Sequence, residues 1–373
     1  MSYVEALDHV IHTVISPAAR ETDQLARFPR AALDALGKAG LLGLLSPAEF
    51  GGMGLGLADA AQVVERIARE CPSTAMVVTM HYTAAVLIEK YGPPDVRRAI
   101  AQGRHLTTLA WSETGTRSHF WAPVGTAQPD DDGFVLNGSK TMVTSAQEAD
   151  SYVWSSQPAL AAQGASTLWL VDSRLPGLHC PQPFDGLGLR GNASAPIRAD
   201  NLRVPASTML GPDGGGFEIM NGDALPVFTT LVASSSIGLM DGVLQRATAH
   251  ITGNRFAETG STLADLPTIR AYLARARLRA DQARALRDDT LAAMVAARPD
   301  AMLRVLQVKV AAAEAALDVT DTAMRTCGGA AFRKEIGIER LFRDARTASV
   351  MAAPTSDVLY DFIGRVLCDM PLA

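Results

Sequence analysis

Apolar residues recur at helical spacing through the N-terminal part of the chain. Phe28, Ala32, Leu33 and Leu36 recur at this spacing. Pro72 predicts the first turn of a further helix, because the N–H groups of a first turn have no partner within the helix and proline lacks that group. We therefore predict a helical domain over residues 1–105.

The pattern changes near Leu106 to short alternating or β-branched segments that are separated by turn residues. The segment 133–138 alternates and ends in Asn-Gly, a dipeptide that favours a hairpin turn. The segments 151–154 and 167–171 have the composition of strands. These features predict a β domain over residues 106–212.

Helical spacing returns in the C-terminal part of the chain. Ile269 and Leu273 belong to one apolar stripe, and Leu306 and Val310 belong to another. We predict a second helical domain over residues 213–373. Helices, then strands, then helices argue against a doubly wound sheet. In agreement with this, no GxGxxG motif of a dinucleotide-binding fold follows a predicted strand.

Composition narrows the class of function. Hydrophobic residues make up 48% of the chain and charged residues 20%, as in ordinary globular proteins. The net charge is -5 and no long basic run is present, so we expect no binding to nucleic acid. The four cysteines have no zinc-ligand spacing, and we expect no metal. The uncharged stretch 224–240 contains serines and threonines and suits a buried helix. We therefore expect a cytoplasmic protein that does not bind a membrane.

Five groups of short motifs follow one another along most of the chain. They are PAEFGGMG at 47–54, SETGTRS at 112–118, LNGSKTMVTS at 136–145, GLGLRG at 186–191 with VPA at 204–206, and CGGAAF at 327–332 with ERLFRDAR at 339–346. In these motifs and in their order, the chain resembles the acyl-CoA dehydrogenase superfamily of flavoproteins.

The resemblance implies an α+β multidomain fold. The family has an N-terminal helical domain, a middle β-barrel-like domain and a C-terminal four-helix-bundle domain, and FAD lies between the last two. It also implies a homo-oligomer, dimer or tetramer, since a neighbouring subunit completes each FAD site.

The motifs also imply which residues bind the cofactor. Ser112 and the backbone around Trp111 would meet the pyrimidine edge of the flavin, and Thr144 would place its hydroxyl near N5. Met142 stands where the family usually has tryptophan, and Arg255 would reach the pyrophosphate of a partner subunit. The full set of implied cofactor-binding residues is Trp111, Ser112, Arg117, Ser118, Met142, Thr144, Arg255, Phe256, Gly328, Gly329, Thr355 and Asp357.

The base of the usual reaction is missing from the sequence. Dehydrogenation of an acyl thioester removes an α-proton, which requires a carboxylate within hydrogen-bond reach. The family places this glutamate shortly after RDAR, where this chain has Ala352 or, with one insertion, Ala353. The alternative family position holds Val227. Asp223 and Asp357 are the nearest carboxylates in the sequence.

Three functions remain open at this point. The first is a dehydrogenase of an acyl-CoA or carrier-bound thioester with a non-standard base and electron-transfer flavoprotein as its partner. The second is a flavin monooxygenase of the same fold that receives reduced flavin, FAD or FMN, from a separate flavin reductase and needs no α-carbon base. The third is a catalytically inert flavin-binding protein.

Polar and aromatic side chains suggest a substrate pocket. His81, on a predicted helix, and His119 are candidate polar groups for the monooxygenase, and His81 together with Thr144 forms our catalytic prediction. The implied substrate-binding residues are His81, Tyr82, Trp121, Phe228 and Met351. This set suggests a bulky or aromatic small-molecule substrate.

Overall fold

A computed structural model describes residues 2–116 and 119–371. The chain divides into two compact units. The first unit comprises Met1–Ala60, Met76–Asp185 and Arg190–Phe228, and the second comprises Ala61–Ala75, Gly186–Leu189 and Thr229–Ala373.

Helices dominate the N-terminal part, as predicted. A capping box opens the first helix, because Ser2 and Glu5 each bond the backbone of the other. A π-helical segment, Ile11–Ile15, joins the first two helices. The helices are α1 (Tyr3–Val10), α2 (Ser16–Gln24), α3 (Arg30–Lys38), α4 (Leu57–Glu70), α5 (Pro72–Tyr91) and α6 (Pro94–Ala101).

The strands of the first unit form two sheets. They are β1 (Thr107–Ala110), β2 (Thr126–Asp130), β3 (Gly133–Val143), β4 (Ser151–Ser156), β5 (Thr167–Asp172), β6 (Leu178–His179) and β7 (Ala195–Pro205). One sheet has the order β1-β4-β5, with β1 parallel to β4. The other is antiparallel with the order β2-β3-β7-β6. Both sheets contribute to one hydrophobic core, in which Trp154 and Trp169 are fully buried.

The predicted hairpin turn at Asn137-Gly138 is wrong. Strand β3 continues through both residues, and its pairing with β7 shifts register between Leu136 and Gly138. The turn lies earlier, between β2 and β3, where Asp130 pairs with Gly133. The side-chain oxygen Oδ1 of Asn137 accepts a hydrogen bond from the Asn201 N–H at 2.8 Å. The dipeptide therefore forms a bulge that the neighbouring strand stabilises.

Four of the helices that follow the last strand share one core in the second unit. The helices α7 (Gly216–Ile219), α8 (Leu225–Gly253), α9 (Pro267–Val295), α10 (Ala301–Cys327), α11 (Ile338–Val350) and α12 (Ser356–Leu367) follow the last strand. A π-helical segment, Met220–Ala224, joins α7 and α8. Buried residues of α8, α9, α10 and α11 form the core of the second unit. The predicted α+β multidomain fold, with a C-terminal helical domain, is confirmed, whereas its boundaries stay a prediction.

One helical stretch, Gly216–Gly253, is long and apolar enough to cross a membrane by length and composition alone. In its most apolar window, 89% of the residues are buried inside the protein. This burial is typical of a core helix, which agrees with the prediction for the stretch 224–240.

Candidate functional site

A buried ion pair joins two of the segments that the motifs assign to the flavin. Lys140 on β3 donates to Oε1 of Glu113 at 2.5 Å, and both side chains are almost fully buried. Lys140 also donates to the carbonyl and hydroxyl oxygens of Ser155. Glu113 accepts from the backbone N–H groups of Val124 and Gly125. Both charges are therefore hydrogen-bonded, as buried charges must be.

Burial lowers the pKa of Lys140 to about 8, and the carboxylate of Glu113 opposes this shift. The ammonium also lies 4.9 Å from the ring of Trp154, an additional favourable contact. The ion pair thus fixes the segment that follows β1 against the middle of β3.

The end of β3 carries the residues that are predicted to contact the flavin ring. The Thr141 N–H donates to the Ser112 carbonyl at 2.7 Å, which brings the two segments together. Met142 has a positive φ of 53°, within an irregular stretch of pairing between Lys140 and Val143. Such a bulge re-aims a side chain. Met142 is 38% exposed and Thr144 only 6% exposed. Arg117 and Ser118, also predicted to bind the cofactor, lie outside the described residues.

His81 does not have the environment that we predicted for a catalytic or substrate-binding group. Its side chain is fully buried on α5. The Thr107 N–H donates to its Nδ1 at 3.3 Å, so Nε2 carries the proton and donates to the Leu42 carbonyl at 3.0 Å. Burial lowers the pKa of His81 to about 4. Both ring nitrogens are therefore used in hydrogen bonds within the first unit, and we withdraw His81 from the predicted catalytic and substrate-binding residues.

The prediction that Tyr82 binds the substrate is withdrawn for the same reason. It is fully buried, and its hydroxyl donates to the Leu41 carbonyl at 2.6 Å. Burial raises the pKa of this phenol well above its usual range. Sequence reasoning placed both residues in a pocket because their helix has apolar neighbours, but that pattern equally describes a core helix.

Trp121 belongs to a chain of aromatic rings in the first unit. Trp111 stacks on Phe120 with ring centroids 5.8 Å apart, and Phe120 meets Trp121 edge to face at 5.0 Å. Trp121 in turn meets Phe217 of α7 at 6.3 Å. We call Trp111, Phe120, Trp121 and Phe217 the aromatic cluster. His119 is exposed and stacks on Trp121 at 4.9 Å.

The alternative base position lies on the helix that follows the sheets. Val227 and Phe228 are both half-buried in the first turn of α8. Asp223 lies four residues before Val227, in the π-helical segment. Its carboxylate accepts from the ammonium of Lys90 at 2.8 Å and from the hydroxyl of Tyr91 at 2.8 Å. These two contacts fix the position of the carboxylate.

Residues predicted to bind the nucleotide part of FAD lie in two turns of the second unit. Gly328, with a positive φ of 57°, and Gly329 follow the end of α10. A methyl group added at either glycine would meet no atom within 4 Å, so the backbone is open there. Arg255 donates to the Gly260 carbonyl at 2.8 Å in the turn after α8, and Phe256 is 49% exposed.

The turn between α11 and α12 contains the usual base position. Ala352 and Ala353 are half-buried, Met351 is 48% exposed, and Thr355 is the N-cap of α12. Asp357 is exposed in the first turn of α12. None of the side chains at 351–353 can accept a proton from an α-carbon.

Lys309 of α10 supports this turn from inside the second unit. Its side chain is buried, and its ammonium donates to the carbonyls of Ala348 at 3.0 Å, Ala352 at 2.7 Å and Pro354 at 2.5 Å. Burial lowers the pKa of Lys309 to about 7, whereas three carbonyl acceptors at the end of α11 favour the charged form. The cation thus fixes the backbone that carries Ala352 and Ala353.

Sequence reasoning missed Glu113, Lys140 and Lys309, although signals were present. Glu113 and Lys140 are charged residues inside motifs that are otherwise small or apolar. Lys309 interrupts the apolar stripe of Leu306 and Val310. A charge within an apolar pattern indicates a buried charge that must be paired or hydrogen-bonded.

Comparison with protein families shows three adjoining matches. They are the acyl-CoA dehydrogenase N-terminal domain over residues 2–103, the middle domain over 108–202 and the C-terminal domain over 214–368.

Individual proteins are similar along almost the whole chain. The short-chain specific acyl-CoA dehydrogenase of Homo sapiens mitochondria is 32% identical over 344 residues, 90% of this chain and 82% of that protein. A cyclohex-1-ene-1-carbonyl-CoA dehydrogenase of Geobacter metallireducens is 29% identical over 360 residues, 95% of this chain and 93% of that protein. Among solved structures, glutaryl-coenzyme A dehydrogenase in complex with glutaryl-CoA superposes with a TM-score of 0.92 at 25% identity, covering 100% of this chain and 95% of that chain.

Proposed function

Because the chain belongs to the acyl-CoA dehydrogenase family of FAD-dependent oxidoreductases, we propose that it introduces a double bond between the α and β carbons of an acyl thioester. The acyl group is bound to coenzyme A or to a carrier protein. The buried pair of Glu113 and Lys140 carries this proposal, because it holds together the two segments that we assign to the flavin ring. The relatives that are dehydrogenases of CoA thioesters support the substrate class.

The described residues fit FAD. A half-exposed Met142 beside the buried Thr144 offers an apolar contact and a hydroxyl, and Gly328 and Gly329 leave room for close approach of a diphosphate. We propose that Trp111, through its backbone, Ser112, Met142 and Thr144 bind the flavin ring. Arg255, Phe256, Gly328, Gly329, Thr355 and Asp357 would hold the rest of the cofactor. When bound, FAD supplies the acceptor for the β-hydride.

We propose Asp223 as the group that accepts the α-proton. It lies about one helical turn before Val227, where some family members have glutamate, and Lys90 and Tyr91 hold its carboxylate in place. In this role the carboxylate of Asp223 would take the proton from the α-carbon, and bound FAD would supply the acceptor for the hydride from the β-carbon, so that a carbon–carbon double bond forms.

Anaerobic titration tests this function. The FAD-loaded protein would be mixed with butyryl-CoA, glutaryl-CoA and cyclohexanecarbonyl-CoA, and the absorbance of the oxidised flavin followed. A dehydrogenase loses this absorbance without oxygen. Asp223→Asn should slow the loss by about 10²–10⁴-fold, the usual contribution of a general base. Glu218→Gln changes an exposed carboxylate of α7 and serves as the matched control. An unchanged rate of flavin reduction in Asp223→Asn would exclude Asp223 as the proton acceptor and favour Asp357.

A second candidate function is a flavin monooxygenase of the same fold. The absence of a proton acceptor at Val227, Ala352 and Ala353 favours it, because oxygenation needs no α-carbon base. Under this function a flavin reductase supplies reduced FAD or FMN, and His119 is the remaining candidate polar group. Transfer of labelled oxygen from O₂ into a product would support it. A protein that neither bleaches with thioesters nor incorporates oxygen would be an inert flavin-binding protein.

Partners follow from the same proposal. Electron-transfer flavoprotein would reoxidise the dehydrogenase, which is measurable as electron transfer between the two purified proteins.

We also propose a cytoplasmic homo-oligomer, dimer or tetramer. Large exposed apolar side chains in the second unit support self-association, and they include Phe332, Val350, Tyr360 and Leu367. Light scattering of the purified protein would measure the oligomeric state.

A further inference from the structure

The aromatic cluster contains a buried hydrogen-bond donor without an acceptor. Trp111 is 8% exposed, and its indole Nε1 has no hydrogen-bond partner within the part of the chain that the structure describes. An indole N–H can only donate. Leaving such a group unpaired in a protein interior is unfavourable, and each case calls for an explanation.

The other buried tryptophans of the two sheets show what sets Trp111 apart. Trp169 Nε1 donates to the Ser156 hydroxyl at 2.8 Å. Trp154 Nε1 also has no partner among the described residues, but its side chain is fully enclosed in the core between strands, with the Lys140 ammonium over its ring. Trp111 instead follows the end of β1 in an irregular segment, and its ring stack leads through Phe120 to the half-buried Trp121.

We propose that the aromatic cluster contacts the acyl group of the substrate and that the Trp111 N–H donates a hydrogen bond to an acceptor atom on that group. The inference rests on the proposed thioester function and names its substrate class. The acyl group has a ring or a branched apolar body, which suits aromatic walls, and it carries an oxygen or nitrogen acceptor beyond the thioester carbonyl. A purely hydrocarbon acyl group would leave the donor unpaired and would be disfavoured.

Ring thioesters that differ by one oxygen atom test this proposal. Cyclohexanecarbonyl-CoA, oxane-3-carbonyl-CoA and oxane-4-carbonyl-CoA would be titrated into the FAD-loaded full-length protein, and binding followed by the change in the flavin spectrum. We expect the wild-type protein to bind one of the oxane thioesters about tenfold more tightly than the cyclohexane thioester, the factor of one neutral hydrogen bond. Trp111→Phe keeps an aromatic ring but removes the N–H, and it should bind all three thioesters equally.

Trp154→Phe is the matched control, since it removes the other unpaired indole N–H from a place that no ligand reaches. It should keep the wild-type preference. The proposal is overturned if the wild-type protein binds the three thioesters equally, or if Trp111→Phe keeps the preference. It is also overturned if Trp111→Phe weakens FAD binding itself, because the acceptor then belongs to the cofactor. Absence of any spectral response to all three thioesters would instead refute the thioester function.

Discussion

Protonation of His81 should destabilise the first unit as the pH falls. In the folded protein the ring is neutral, with Nδ1 accepting from the Thr107 N–H and Nε2 donating to the Leu42 carbonyl. A second proton on the ring would remove the acceptor and place a charge in the core. The folded pKa is about 4, against 6.5 in the unfolded chain. Since the unfolded state takes up the proton first, stability is present above pH 6.5 and is lost as the pH falls towards 4.

The size of this effect follows from the two pKa values. A difference of about 2.5 pH units corresponds to a loss of about 3 kcal/mol once the pH is below both values. At pH 5, where the folded ring is still mostly neutral, the loss is about 2 kcal/mol. Asp150 and His105 act on the ring by weaker opposing charge effects.

Two substitutions separate this pH dependence from the loss of hydrogen bonds. His81→Asn offers an acceptor near Nδ1, and His81→Gln offers a donor near Nε2, so each variant leaves one backbone group unpaired at a cost of about 1–3 kcal/mol. Neither side chain titrates. The free energy of unfolding would be measured by urea denaturation at pH 7.5 and pH 5, with hydrogen exchange of the Thr107 amide as a local probe. Between these pH values, we expect both variants to lose about 2 kcal/mol less of this free energy than the wild type.

Equal losses in the free energy of unfolding in the wild type and in both variants would refute the conclusion that His81 is neutral and packed in the core. One other result would support a catalytic role for His81. If His81→Asn kept the wild-type stability at both pH values but lost reduction by thioesters, then His81 would contact the substrate.

Three further substitutions test the buried contacts. Lys140→Met leaves the Glu113 carboxylate buried without its cation, so we expect a loss of about 3–5 kcal/mol in the free energy of unfolding, which the double variant with Glu113→Gln should partly restore in urea denaturation. Lys309→Met takes the donor from three backbone carbonyls, and we expect a loss of about 1–3 kcal/mol together with faster hydrogen exchange at residues 351–355. Gly43→Ala would place a methyl group 2.1 Å from the Ala101 carbonyl oxygen, and we expect it to lower the free energy of unfolding by about 1–3 kcal/mol, measured as a lower melting temperature. Gly222→Ala is the control, because its methyl group meets no atom within 4 Å and should not have this steric cost.

Local patterns predicted the elements well, because the information for a helix or strand lies within a few residues. The spacing of Ala32, Leu33 and Leu36 predicted α3, although Phe28 lies before its first residue, and Pro72 begins α5 as expected. The Asn137-Gly138 turn failed because its outcome depends on a distant strand. The bond from the Asn201 N–H to the Asn137 side chain joins β3 to β7 across 64 residues of sequence.

The same distinction applies to the candidate site. The motifs assigned the segments around Ser112 and Met142 to one cofactor, which stays a prediction, and the Thr141 N–H joins these segments by donating to the Ser112 carbonyl. The state of His81 could not be predicted from its own helix. It depends on Leu42 and Thr107, which are 39 and 26 residues away along the chain.

The contacts of the proposed site constrain the segments that Glu113 and Lys140 join more strongly than they constrain the side chains of the turn between α11 and α12. Glu113 and Lys140 depend on one another, so loss of either leaves a charge buried without its partner. In the α11–α12 turn, Lys309 bonds only to backbone carbonyls, which any residue at 352 or 353 supplies. A carboxylate can therefore be replaced there without loss of these contacts. The contacts that hold the proposed cofactor segments are therefore independent of the side chains at 352 and 353, and a substitution at either position requires no change in the backbone contacts of the turn.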